Sequence, residues 1–362
     1  GLDVFRDHLV LYERQGGLKR IRLSAPDAVS QVRYVPFPEP VYTFSPADNP
    51  EFAAGELRFT YSSLVTPNTV VDYGLASGAW TVRKQDQIPS GYAPAQYRSA
   101  RLHATAPDGV QVPISLVYKA GFARDGRAPL LLYGYGSYGA SLDAWFDSKR
   151  LSLLDRGFAF AIAHVRGGAE LGRAWYHTGK LLHKRNSFTD FIACAEHLIA
   201  QGYTSRDRLA IMGTSAGGLL VSAAVTLRPD LFRCVVARVP FVDVVNSMSD
   251  PSIPLTVIEW EEWGNPADPT YFDYMLSYSP YDNVQARAYP AMLVTAGLND
   301  PRVAYWEPAK FVARLRALKT DDQRLLLKTN MGAGHGGASG RYDFLKEIAL
   351  EYAFILDTLG VN

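Results

Sequence analysis

Arg208-Leu209-Ala210-Ile211-Met212-Gly213-Thr214-Ser215-Ala216-Gly217-Gly218 runs an apolar segment into a serine set between glycines. The apolar stretch Leu219-Leu220-Val221-Ser222-Ala223-Ala224-Val225 follows at once. The order reads as strand, sharp turn and helix, the setting in which a G-x-S-x-G serine is lifted clear of the backbone as a nucleophile. So tight a turn leaves no room for Cβ atoms beside the serine, which is why glycines flank it. Outward from this point, apolar runs at 129–135, 158–165, 209–212, 234–239, 291–296 and 324–328 suit central strands buried on both faces. Helical patterns separate them at 187–201, 217–228, 307–318 and 342–359, with Ser187 expected as an N-cap. Strands alternating with helices predict an α/β unit with a mostly parallel sheet over residues 91–362.

Residues 1–90 follow a different rule. Short strand patterns at 8–14 and 18–24 flank Gln15-Gly16-Gly17, a hairpin signal, and strands at 56–62, 70–75 and 79–84 repeat the meander. The period, near 45 residues, is that of propeller blades. Two four-stranded blades are expected, and two cannot close a ring that normally needs four to eight. The expectation is an incomplete β-propeller whose remaining part lies upstream or on a separate chain.

Composition excludes several function classes. Apolar residues make up 48% of the 362, enough for a large core, and the net charge of +1 gives no electrostatic reason to expect nucleic acid. Cys194 and Cys234 lie in apolar segments without metal-ligand spacing, so no metal is expected. No apolar run approaches a membrane span, and the first residues lack the features of a signal peptide.

A nucleophilic serine needs a base and an orienting acid, which in this setting follow in the order Ser, Asp or Glu, His. His335 is the only histidine after Ser215, in the glycine-rich loop 332–337. The acid is expected after the strand at 291–296, where Asp300 stands; Asp343 and the pair Asp321-Asp322 lie at helix starts, where carboxylates simply cap. One oxyanion donor is the Ala216 N–H. The second is expected from loop 133–139, whose Tyr133, Tyr135 and Tyr138 are not separable from sequence. Glu259 and Glu261 share a side if their segment is extended, and together suit a guanidinium; a solvated loop or helix start is the plainer reading.

YGYGSYG (133–139), HVRGG with ELG (164–172), GTSAGG (213–218), EEWGNP (261–266), YSPYDN (278–283), YWEPAK (305–310), KTDD (319–322) and GHGG (334–337) occur in this order. The chain thereby resembles the prolyl oligopeptidase family of serine peptidases, and within it the oligopeptidase B group, over essentially its whole length. The resemblance implies an α/β-hydrolase fold behind the last propeller blades, and Ser215, Asp300 and His335 as a triad. It implies Tyr135 as the oxyanion hydroxyl, Glu259 and Glu261 as the acidic pair selecting Arg or Lys at P1, and Arg302 as a holder of peptide backbone. Short basic peptides would be the substrates, without a cofactor, in the cytoplasm. The group's Asp-x-Asp pair, tied to basic P2 residues, reads Asp143-Ala144-Trp145 here, with Asp147 two residues on. Asp143 is expected at that subsite, whether Asp147 replaces the second acid stays open, and a dibasic preference is not expected. A carboxylesterase or acylaminoacyl-type peptidase on the same fold, and a fragment inactive without its missing propeller, are the alternatives.

Overall fold

The computed structural model describes residues 1–340 and 342–362. Eight strands build the central sheet: β9 (Tyr97–Thr105), β10 (Gln111–Lys119), β11 (Leu130–Tyr133), β12 (Ala159–Ala163), β13 (Leu209–Thr214), β14 (Cys234–Arg238), β15 (Ala291–Gly297) and β16 (Leu325–Asn330). Their spatial order is β16-β15-β14-β13-β11-β12-β10-β9. β10 pairs antiparallel with β9 and β12, and every other pairing is parallel. The central strands read as unbroken apolar runs because both faces are covered. Leu209 and Ile211 pack into the core on one side, and Ala210 and Met212 into the core on the other.

The helices are α1 (Leu151–Leu154), α2 (Arg173–His177), α3 (Arg185–Ala200), α4 (Ala216–Leu227), α5 (Val244–Ser249), α6 (Thr256–Trp263), α7 (Pro269–Leu276), α8 (Trp306–Leu318) and α9 (Asp343–Leu359). Two expectations need correction. Ser187 is not an N-cap: α3 begins two residues earlier, and the buried Ser187 hydroxyl donates to the Arg166 carbonyl at 2.6 Å. The run at 324–328 is not a doubly buried central strand. It falls in β16, the sheet's edge, with Leu326 42% exposed.

Ahead of the sheet stand two four-stranded antiparallel meanders. β1 (Leu2–Val4), β2 (Leu9–Gln15), β3 (Leu18–Ala25) and β4 (Ala28–Tyr34) form one; β5 (Tyr42–Pro46), β6 (Glu56–Ser63), β7 (Thr69–Gly74) and β8 (Trp80–Gln85) form the other. They share a core of Val10, Ile21, Leu23, Phe44, Phe59 and Tyr73. The β2–β3 hairpin tip docks on the large unit. Arg101 donates to the Gly16 carbonyl at 3.0 Å, while Arg14 and Lys19 reach Asp143 at 2.8 and 2.5 Å. Parallel pairing brings the C-terminal ends of β11, β13, β14, β15 and β16 to one edge, where open α/β sheets hold their sites.

Candidate active site

β13 ends at Thr214 and α4 begins at Ala216, so Ser215 carries the whole turn at φ +59° and ψ −120°. A non-glycine residue held there stores about 1–3 kcal/mol of strain. Three backbone hydrogen bonds hold it: Ser215 N–H donates to the Arg238 carbonyl at 2.9 Å, and its own carbonyl accepts from Leu219 at 3.1 Å and Phe241 at 3.3 Å. A Cβ on Gly213 would lie 1.9 Å from the Gly217 carbonyl oxygen, so only glycine fits that approach. Ala216 opens α4, and a first-turn N–H has no carbonyl partner inside its own helix. Together with the helix dipole this makes a ready donor for negative charge.

His335 Nδ1 lies 2.7 Å from Asp300 Oδ2, and the Asp300 side chain is fully buried. The other carboxylate oxygen accepts the N–H groups of Arg302 at 2.9 Å and Val303 at 3.0 Å. Burial pushes the Asp300 carboxyl up, but the His335 bond and the two N–H groups outweigh it, leaving it below the ordinary carboxylate range. An ionised Asp300 accepts only, so Nδ1 carries the proton and Nε2 is left as the acceptor. The rival acids are engaged elsewhere. Asp321 accepts from Tyr289 and Gln323 N–H, and Asp343 pairs with Lys346.

Ser215, Ala216, Tyr135, Tyr138, Glu259 and Arg302 line one cavity of about 350 Å³. His335 lines a neighbouring one of about 690 Å³, whose wall includes Thr214. The elbow lies between the two, and no hydrogen bond joins Ser215 to His335 among the described residues. Catalytic hydrogen bonds are often long before substrate binds.

The three tyrosines differ in what they hold. Tyr133 bonds to Thr214, and Tyr138 donates to Glu259 Oε2 at 2.7 Å. The Tyr135 hydroxyl makes no hydrogen bond among the described residues, and its ring lines the Ser215 cavity. Burial pushes that hydroxyl up to about 12, with Tyr133, Glu259 and Glu262 adding and Arg302 opposing, so it remains a donor at neutral pH.

Glu259 and Glu261 do not share a side. Their segment is the helix α6, not an extended strand, and two residues of helix turn through roughly 200°. Glu259 lines the cavity, with Oε2 fixed by Tyr138 and by Trp263 Nε1 at 2.8 Å and Oε1 uncommitted, whereas Glu261 is exposed. Glu262, which sequence reading passed over, is buried: it accepts Tyr138 N–H at 2.9 Å and the Tyr176 hydroxyl at 2.7 Å. Its spacing of three from Glu259 puts it on the same helix face, as the helix-start reading of this segment implies. At Asp143, Arg14 and Lys19 from the hairpin take both carboxylate oxygens. Asp147 caps a 3-10 turn through Lys149 N–H.

Comparison with known proteins accords with this geometry. The profile of the prolyl oligopeptidase family matches residues 144–362, and that of the family's N-terminal β-propeller domain matches residues 1–86. Protease 2 of Moraxella lacunata is 50% identical over 358 residues, 99% of this chain and 51% of that protein. Dipeptidyl aminopeptidase BI of Pseudoxanthomonas mexicana is 48% identical, over 100% of this chain and 50% of its own length. Oligopeptidase B from Trypanosoma brucei, with antipain covalently bound, superposes with a TM-score of 0.92 at 49% identity, covering 100% of this chain and 52% of that one. The chain thus spans about half the length of the curated relatives it matches. With both profiles laid over blades and sheet alike, the chain belongs to the prolyl oligopeptidase family.

Proposed function

We propose that this chain carries the catalytic half of an oligopeptidase B-like serine peptidase, cleaving short peptides after Arg or Lys. One observation carries the reading: an uncommitted Glu259 carboxylate oxygen shares a cavity with Ser215, Ala216 and Tyr135. Ser215 Oγ attacks the scissile carbonyl as His335 Nε2 takes its proton, after the loop carrying His335 has closed on the elbow. Asp300 holds the imidazole in the productive tautomer and stabilises the imidazolium without taking the proton. Ala216 N–H and Tyr135 hydroxyl receive the oxyanion. The imidazolium then protonates the leaving amine, and water, deprotonated by the same imidazole, releases the acid and restores Ser215. Glu259 pairs with the P1 cation, Glu261 stands at the rim of the same helix, and Arg302 binds substrate backbone. Asp143 is proposed as a docking residue and not a P2 acid.

We place the boundary between blades and hydrolase unit at residue 90. Size selection by a propeller needs further blades, from the same chain or a separate one.

The test is turnover of matched fluorogenic amides with Arg, Lys, Pro or Phe at P1, with Ser215→Ala as control. Arg and Lys turnover that vanishes in the variant is expected; turnover of Phe or Pro alone would refute the role of Glu259. A second reading, release of dipeptides from free N-termini, is favoured by the Pseudoxanthomonas relative. Acetylated substrates decide it, since an exo-acting site rejects them.

A further inference from the structure

Lys184 is buried to 1% exposure against loop 133–139, and none of its three hydrogen-bond partners is a carboxylate. Its ammonium donates to the Gly136 carbonyl at 2.5 Å, the Ser137 hydroxyl at 2.7 Å and the Gly179 carbonyl at 3.2 Å. Three N–H donors meet three oxygens, the full complement of a protonated lysine. Nζ also stands 5.0 Å from the centre of the Trp263 ring. Burial pulls the ammonium down to about 8, with the more distant Glu262 opposing. A buried cation without a counter-ion is costly unless it is hydrogen-bonded in this way.

Two of the three bonds hold loop 133–139, and the third ties it to the Gly179 carbonyl. Gly136 sits at φ +71°, and a Cβ there would lie 2.6 Å from Val165 Cγ2, so the backbone is pressed against its support. Glu262 fixes Tyr138 N–H from the other side, and Gly139 N–H donates to the Gly167 carbonyl at 2.9 Å. Tyr135, the residue before Gly136, is the one member of the loop whose hydroxyl is uncommitted above Ser215.

Resting on the reading of Tyr135 given above, we propose that Lys184 is a positioning residue: through the Gly136 carbonyl and Ser137 hydroxyl it sets where the Tyr135 hydroxyl meets the oxyanion. Lys184 touches no substrate. Its removal displaces a transition-state donor, and Lys184 hydrogen-bonds to no residue of the P1 pocket, so the loss falls on kcat rather than KM.

The experiment compares wild type with Lys184→Met and Lys184→Gln, each checked for folding by thermal melt. It reads turnover of an arginine amide, and hydrogen exchange of loop 133–139 by mass spectrometry. Expected are faster exchange in the loop, a kcat lower by about tenfold or more, and a KM within about threefold. Unchanged exchange, unchanged kcat, or a loss confined to KM would each overturn the proposal. If wild type turns over no amide, the peptidase reading fails on its own, and the exchange result alone decides Lys184. If neither lysine variant folds, Ser137→Ala removes one of the three acceptors and carries the same prediction in weaker form, about threefold in kcat at constant KM.

Discussion

Glu259 lines the Ser215 cavity with one oxygen committed: Oε2 is held by Tyr138 and Trp263, while Oε1 has no hydrogen bond among the described residues. Glu259→Gln should lower kcat/KM for an arginine amide by about a hundredfold, with hydrolysis of an activated neutral ester within about threefold of wild type. Glu261→Gln, on the exposed side of α6, should change either by less than about threefold. Equal losses on both substrates would remove Glu259 from substrate recognition. Asp300→Asn keeps the shape of the triad but favours the wrong imidazole tautomer, and should lower kcat by about 10³–10⁴. At this scale the sequence was legible where order and elimination applied, as for Asp300 and His335. It was silent on the three tyrosines, because the groups that distinguish them arrive from far along the chain: Glu259 lies 121 residues from Tyr138.

At the scale of elements, the elbow is the most rigidly specified part. Gly213→Ala would drive a Cβ into the Gly217 carbonyl oxygen, so either the turn opens and activity disappears or the protein fails to accumulate. The strands of the sheet's centre were readable because burial on both faces writes itself as an apolar run. β16 opens with a similar run, Leu325-Leu326-Leu327, at an edge, and that run alone does not distinguish the two positions. α6 was left open between an extended segment, a loop and a helix start for another reason. It is eight residues long, enters through Leu255 at φ +74°, and crowds three acids and two tryptophans into residues 259–263.

α9 offers a test in pH. Burial pushes the Glu351 carboxyl up to about 7, although Arg238 pairs with it at 2.8 Å. A group whose pKa is raised on folding contributes stability that is complete below its unfolded value and is lost as pH rises through the folded one. Between about pH 4.5 and pH 7 the native protein should therefore lose roughly 2 kcal/mol that Glu351→Gln does not lose. Parallel melting curves across that range would contradict it.

In the whole molecule the β2–β3 hairpin and the second meander both meet the large unit, where Val41, Leu64 and Val65 pack into its core. Arg14, Lys19 and the Gly16 carbonyl bind Asp143 and Arg101, and Ser62 Oγ accepts from Phe146 N–H at 3.1 Å nearby. Asp143→Asn should expose the β2–β3 hairpin to faster hydrogen exchange while turnover of a small amide changes less than about threefold. A selective loss on substrates with a basic P2 residue would return Asp143 to the subsite that sequence reading gave it. A carboxylate near a substrate channel and a carboxylate at a docking seam look alike in one dimension. Only the fold brings a partner from 129 residues away.

On the function proposed above, Ser215 and His335 act together in a pocket for a P1 cation, though no hydrogen bond joins the two side chains among the described residues. A peptidyl-arginine chloromethyl ketone tests this most directly, since alkylation of His335 Nε2 requires the ketone to be held at Ser215. The prediction is one adduct per chain, mapped by mass spectrometry to His335, absent in Ser215→Ala and formed about a hundredfold more slowly by the phenylalanine analogue. An adduct on another residue, or equal rates for the two reagents in folded protein, would contradict the account.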